Sequence, residues 1–383
     1  MKIGILTQPL SGNYGGLLQC YALQSVLKTF GHEVWIVQRE TETQLTGLGR
    51  FFYYAKQILK TCLGGDFVRL SDPKKKEYVK KNINYFKSKY INPKTEILTT
   101  TEKLRTSHFN YKFDAYVVGS DQVWRPQYSP CITNYFLDFL SPDEKVKRIA
   151  YAASFGVEEW EFAEEETSIC KELLKLFDGI SVREDSAITL CEKYLERTDA
   201  LHVLDPTMLL EKDDYVSLVE KENEPKSPGN LFYYILDKTE EKEKMVEAIA
   251  FQLNAVPFTQ WRKKRSTYEN MKNCLEDCVF PSVTAWLRAF MDAEMVITDS
   301  FHGCVFSIIF NKPFWVIGNE ERGLARFNSL LSMFELRNRL IKADRIPSDL
   351  SVPIDWNKVN ATRKYWQEKS SNFLKTHLNK YNG

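Results

Sequence analysis

The segment Ile297-Thr298-Asp299-Ser300-Phe301-His302-Gly303 carries the residue types best suited to chemistry in this chain. An apolar strand runs into the cap-forming pair Asp299-Ser300, and a histidine and a glycine follow in the first turn of the next helix. A histidine titrates near neutrality, so His302 can exchange a proton with a ligand held at that helix start, where unpaired backbone amides attract anions. Gly303 lets a ligand come close to the backbone. A helix-capping histidine with satisfied hydrogen bonds would read the same way, although His32, His108, His202 and His377 have no comparable setting.

Three other junctions qualify because ligands of open α/β sheets bind outside the carboxyl ends of the strands. The first is Gly12-Asn13-Tyr14-Gly15-Gly16, with Gln19 one turn further on; its spacing is neither a dinucleotide fingerprint nor a P-loop. The second is Gly119-Ser120-Asp121-Gln122, where Asp121 reads equally as a helix N-cap. The third is Arg183, directly after an apolar strand, placed to clamp a carboxylate or phosphate or else to pair with Glu184 or Asp185. Arg322 and Arg326 follow a later strand as further anion anchors, whereas Lys312 precedes that strand and belongs to the opposite sheet edge.

The elements that must position these residues alternate as strand and helix. Ile3 to Thr7, Leu17 to Phe30 and Val34 to Val37 form a first β-α-β unit, and the rhythm resumes at Tyr116 to Val118, Ile149 to Ala153 and Gly179 to Val182. Six glutamates between 158 and 166 suit a solvated helix start. After a polar, Pro-containing stretch, 221 to 230, the alternation runs again from Leu231 to Ile317, giving a second parallel sheet. The reading is therefore α/β: residues 1–205 form one Rossmann-like domain with a basic, aromatic helical insertion at 41–110, and 206–354 form a second. Residues 355–383 form a helix that packs back across them. The active site is expected in the cleft between the domains.

Length and composition agree with two self-sufficient cores: 383 residues, 43% apolar and 27% charged. A net charge of +1 provides no global attraction for nucleic acid. The eight cysteines include no CxxC pair and no zinc pattern, so no metal site is expected and the thiols suit a reducing cytoplasm. The opening strand lacks a signal-peptide layout, so the mature chain is expected to start at Met1. No run reaches the roughly 18 to 20 apolar residues that span a bilayer.

The motifs GNYGGLLQCYAL (12–23), VVGSDQVW (117–124), YAASFG (151–156), SVRE (181–184), DPT (205–207) and TDSFHGCVFSIIFNKPF (298–314), in this order, resemble the polysaccharide pyruvyl transferase family. The resemblance runs from the first loop to about Phe327. It implies a GT-B-like pair of domains and transfer of a pyruvyl group from phosphoenolpyruvate to two sugar hydroxyls, forming a cyclic ketal and phosphate. The co-substrate is phosphoenolpyruvate, the acceptor a sugar of a cell-surface polysaccharide or its lipid-linked precursor, and no cofactor or metal is implied. The family's histidine and basic residues fall on His302 and Arg183 as catalytic groups. Ser300, Gly303 and Arg322 or Arg326 fall on the donor side, and Asn13, Tyr14, Gly15, Gln19, Ser120 and Asp121 on the acceptor or cleft loops.

Two other functions fit the same pattern. A nucleotide-sugar glycosyltransferase would share the architecture, with Glu320 or Glu321 holding a ribose, and a non-catalytic glycan-assembly protein would keep the fold alone. In residues 50–89 eleven Lys or Arg stand against three acidic residues, interleaved with aromatics. That segment reads either as a membrane-surface contact at the inner face of the membrane or as a solvated insert covering the first domain.

Overall fold

A computed structural model describes residues 1–41, 72–318 and 323–379. The first sheet contains β1 (Lys2–Leu6), β2 (Glu33–Arg39), β3 (Lys94–Leu98), β4 (Ala115–Val118), β5 (Lys147–Ala153), β6 (Gly179–Val182) and β7 (Leu201–His202). The second contains β8 (Leu231–Tyr234), β9 (Pro257–Phe258), β10 (Met295–Thr298), β11 (Phe314–Ile317) and β12 (Leu340–Ile341). The spatial orders are β3-β2-β1-β4-β5-β6-β7 and β12-β11-β10-β8-β9, and every pairing is parallel. The central strands β4, β6, β10 and β11 are buried at every position, as short apolar runs must be when helices cover both faces of a sheet.

These orders locate the site before any side chain is considered. The first sheet reverses its direction of growth between β1 and β4, the second between β8 and β10. At each reversal the loops leaving adjacent strands diverge to opposite faces and open a crevice at the carboxyl ends.

The domains share one large apolar core. Tyr14 is completely buried, with its ring 5.8 Å from Trp286 and 6.2 Å from Tyr234, and its hydroxyl donates to the Pro281 carbonyl at 3.0 Å. The helix Trp356–Leu378 packs on the first domain: Leu204 N–H donates to Ser370 Oγ at 3.0 Å, and the His377 ring fills the space a side chain at Gly179 would need.

Two features differ from the sequence reading. Residues 94–110, inside the span read as an insertion, supply β3 and all but the last residue of the helix Thr101–Tyr111 of the first domain itself. β3 is an edge strand with only Thr95 and Leu98 buried, so its apolar signal is weak. The helix after β1 begins at Tyr14, so Gly15 and Gly16 lie in its first turn rather than in a loop.

Of the basic segment, residues 50–71 lie outside the described residues. Its described part forms the helices Pro73–Val79 and Lys81–Tyr90, which bridge to the second domain. Lys75 Nζ donates to the Met271 carbonyl at 3.0 Å, Asn82 Nδ2 to that of Phe280 at 2.8 Å, and Lys89 pairs with Glu222 at 2.8 Å. Among the described residues no helix is long and apolar enough to cross a membrane.

Candidate active site

A cavity of about 510 Å³ opens where the two sheet reversals face each other. The β1 loop contributes Gln8 to Ser11, Asn13 and Gly16, and the β4 loop Asp121 and Gln122. From the second domain come Leu236 after β8, Asp299 to His302 after β10, and Arg326 and Phe327 in the helix Ala325–Met333.

Ser300 is the N-cap of the helix Phe301–Ile309, its Oγ accepting from Gly303 N–H at 3.3 Å. Thr298 Oγ1 braces the turn, accepting from Ser300 N–H at 3.0 Å and donating to the Tyr234 carbonyl at 2.7 Å. Gly303 is obligatory for packing, since a Cβ there would stand 2.2 Å from Thr298 Oγ1. Asp299 is buried and accepts from the amides of Leu236 (2.7 Å) and Asp237 (3.1 Å) and from Lys242 Nζ (2.7 Å). This pair ties the β8 and β10 loops together.

His302 is 5% exposed and lines the cavity. Its ring lies against Gly15, where a Cβ would come within 2.1 Å of Nδ1. The glycine of the first motif is thus the seat of the histidine in the last one. Nε2 faces Asp205 Oδ2 at 3.5 Å, too long for a well-formed hydrogen bond, and is otherwise unpartnered.

Asp205 joins the remaining motifs. Its Oδ1 accepts from Thr207 N–H at 3.0 Å and Oγ1 at 2.7 Å, and its Oδ2 pairs with Arg183 Nη1 at 3.0 Å. Burial works to raise the carboxyl pKa, but His302, Arg183 and Thr207 together hold it well below the usual carboxylate range.

Arg183 also reaches Asp121 Oδ1 at 3.4 Å and lies 4.6 Å from the centre of the Phe301 ring. Burial opposes its charge, yet Asp121, Asp205 and Glu184 outweigh that and raise its pKa. Arg183 does not line the cavity. Its hydrogen-bonding partners are Asp205 and Asp121, because Glu184 turns instead to the β5 loop. There its Oε1 accepts from Ser154 Oγ (2.9 Å), Phe155 N–H (2.8 Å) and Gly156 N–H (3.0 Å).

Arg326 does line the cavity. It is 9% exposed, stands 5.7 Å from the centre of the same Phe301 ring, and its Nε has no hydrogen-bond partner. Burial, then repulsion from Arg183, push its guanidinium down to about 10. Arg322, Glu320 and Glu321 lie outside the described residues.

The remaining sequence candidates divide into cavity residues and supports. Asn13 and Asp121 line the cavity. Gln19 and Ser120 are completely buried and brace the β1 and β4 loops: Ser120 N–H donates to Gln19 Oε1 at 3.1 Å, and Gln19 Nε2 to Thr7 Oγ1 at 2.9 Å. Tyr14 belongs to the interdomain core rather than to the cavity. Asp121 caps no helix; it has φ 73°, a conformation Asp tolerates, and bridges to Ala153 in the neighbouring loop. Lys242 is absent from the sequence reading, Asp205 enters it only within the DPT motif, and Glu184 only within SVRE and as an alternative partner of Arg183. For Asp205 the available signal was position, since it follows directly on the end of an apolar run, as Arg183 does, and Glu184 is the next residue after Arg183.

Two parallel-sheet domains whose strand ends meet over one cavity define a two-domain Rossmann-like protein of the GT-B type. The structure of Arabidopsis thaliana UGT89C1 complexed with UDP-L-rhamnose superposes with a TM-score of 0.53 at 9% identity, covering 97% of this chain and 98% of that one. The UDP-GlcNAc 2-epimerases of Neisseria meningitidis (bound to UDP-GlcNAc; TM-score 0.49, 7% identity, 99% and 95% covered) and Methanocaldococcus jannaschii (0.47, 12%, 96% and 93%) give lower scores. The fold assignment rests on the first of these. No match was found among curated proteins. Residues 13–321 match the model of the family described as polysaccharide pyruvyl transferase, and the chain belongs to that family.

Proposed function

We propose that this protein transfers a pyruvyl group from phosphoenolpyruvate to two hydroxyls of one sugar, releasing phosphate. The observation that carries this reading is the meeting of His302, the start of the helix Phe301–Ile309 and Arg326, whose Nε has no hydrogen-bond partner, on one cavity wall. An enol phosphate that also bears a carboxylate is a doubly anionic ligand, and a helix N-terminus beside an arginine supplies donors for both groups.

The bonds balance without redox chemistry. A proton adds to the methylene carbon of the donor, which becomes the methyl group, and positive charge develops on the adjacent carbon. One sugar hydroxyl bonds to that carbon and gives up its proton. The carbon–oxygen bond to phosphate breaks, and the second hydroxyl closes the ketal with loss of its own proton, which leaves with the phosphate. His302 carries the proton to the methylene carbon, Arg326 and the helix amides hold the donor anion, and Asn13 and Asp121 face the acceptor.

Incubation with phosphoenolpyruvate and a panel of sugar and lipid-linked acceptors, followed by phosphate assay and mass spectrometry, tests the proposal. The expected result is phosphate release matched by a ketal product. His302→Ala is expected to lower the rate by about 10²- to 10⁴-fold. A melting temperature raised by a nucleotide sugar and not by phosphoenolpyruvate would instead support a glycosyltransferase.

A further inference from the structure

We infer that Asp205 is the positioning residue of His302: it holds the neutral imidazole with its proton on Nε2, so that Nδ1 is the atom that exchanges a proton with the ligand. The inference takes from the proposed reaction only that His302 handles a proton.

The case begins with what surrounds Nε2. This nitrogen is buried, makes no hydrogen bond, and stands 3.5 Å from Asp205 Oδ2. A lone pair on Nε2 would face the lone pairs of a carboxylate at 3.5 Å, a separation too short to admit a bridging group, which is repulsive for a buried atom. A proton on Nε2 turns the same contact into attraction, so the carboxylate selects that tautomer.

Asp205 has acceptor capacity left for this task. Oδ1 is occupied by both donors of Thr207, whereas Oδ2 receives Arg183 Nη1 at 3.0 Å. Ser120 Oγ lies 3.4 Å from Oδ2 but only 3.0 Å from the Ala152 carbonyl, and its single proton goes to the nearer acceptor. A lone pair of Oδ2 therefore remains for His302. Arg183 keeps the carboxylate ionised and fixed, which explains an arginine that stands next to the cavity without entering it. The opposite edge of the imidazole, with Nδ1, rests on Gly15 in the turn that places Asn13 and Gly16 on the cavity wall.

The charged groups around His302 are Asp205 and Arg183 behind it, Asp121 and Arg326 on the cavity wall, and the Asp299–Lys242 pair just before its own helix. Tyr151 and Tyr215 face Asp205, and burial raises both phenols, so they stay neutral. Of these groups Asp205 makes the one recorded ion-pair contact with the imidazole among the described residues.

The test reads the tautomer directly in the full-length wild-type protein labelled with ¹⁵N-histidine, using two-bond ¹H–¹⁵N spectra and His302→Gln for assignment. A neutral His302 protonated at Nε2 is the expected result; a neutral form protonated at Nδ1 overturns the inference. The spectra need no substrate, so this outcome is independent of whether the protein transfers pyruvyl groups. Kinetics with phosphoenolpyruvate and acceptor supply the second readout. In Asp205→Asn, kcat is expected to fall by at least about ten-fold with KM for the donor within about three-fold, and the alkaline limb of kcat/KM to move to lower pH, because imidazolium has lost its stabilising charge. A folded Asp205→Asn protein with an unchanged pH profile would also overturn it. If that variant fails to fold, the wild-type spectra alone decide.

Discussion

Arg183 and Arg326 approach the same aromatic ring, that of Phe301, and end in different electrostatic states. Arg183 is compensated twice, by Asp205 and Asp121, and is closed off from the cavity. Arg326 is almost as deeply buried, opens onto the cavity and makes no ion pair with a described residue; burial and Arg183 disfavour its charge more than the carboxylates of Glu184 and Asp121 favour it, and the Nε of each of the two guanidiniums lacks a hydrogen-bond partner. A buried guanidinium with two carboxylates is part of the framework. One without a direct carboxylate partner keeps donor capacity for an anion that enters the cavity. The sequence reading placed Arg183 among the catalytic groups and Arg326 on the donor side; on the proposed function the tasks divide differently, with Arg183 holding the carboxylate beside His302 and Arg326 serving as the anion anchor.

The largest effect that tests this contrast is on stability. Arg183→Ala strands the Asp205 and Asp121 carboxylates, and removing one partner of a buried pair costs about 3 to 5 kcal/mol. Denaturant unfolding should register a loss of that size. A loss below about 1 kcal/mol would mean that Arg183 is not structurally compensated and would erase the distinction. Arg326→Met is expected to behave oppositely. It replaces a poorly compensated buried charge with an apolar chain of similar reach, so the ligand-free protein should melt at an equal or higher temperature. Stabilisation by phosphoenolpyruvate should nevertheless disappear, with KM for the donor rising about ten- to a hundred-fold, the range lost with a charge-assisted hydrogen bond or two. Thermal melts with and without the donor measure both halves.

The sequence made most of this legible at the level of position and little of it at the level of pairing. The junction at Ser300-Phe301-His302-Gly303 could be found because an apolar run, a cap and a helix start are local features, and local physics sets them. The wall that Asn13 and Asp121 share with His302 follows from strand order, which the alternation of elements foreshadows. The partners of Arg183 lie 22 and 62 residues away, and nothing local distinguishes it from a cation that faces a ligand. Gly15 illustrates the same limit. Its position placed it among the acceptor or cleft loops, whereas the group that packs on it is His302, 287 residues further along the chain. β3 was missed for a different reason, since a half-exposed edge strand carries neither strict alternation nor a continuous apolar run.

The smallest expected effect concerns acid, and it converts one arginine into the likeness of the other. Asp205 has a folded-state pKa held below its unfolded value, so its contribution to stability is fully present above the unfolded carboxylate range, about 4, and is lost as pH falls toward the folded value. Protonating Asp205 leaves Arg183 with less compensation, the state Arg326 occupies at neutral pH. The stability gap between wild type and Arg183→Ala should therefore be constant from about pH 7 to about pH 5 and narrow below about pH 4. The gap between wild type and Arg326→Met should change less in that acid range, because Arg326 forms no ion pair with a described residue and Glu184 and Asp121 favour its charge less than burial and Arg183 oppose it. Equal narrowing in both variants would show that acid acts on the whole fold rather than through Asp205, and the division of labour between the two guanidiniums would lose its electrostatic basis.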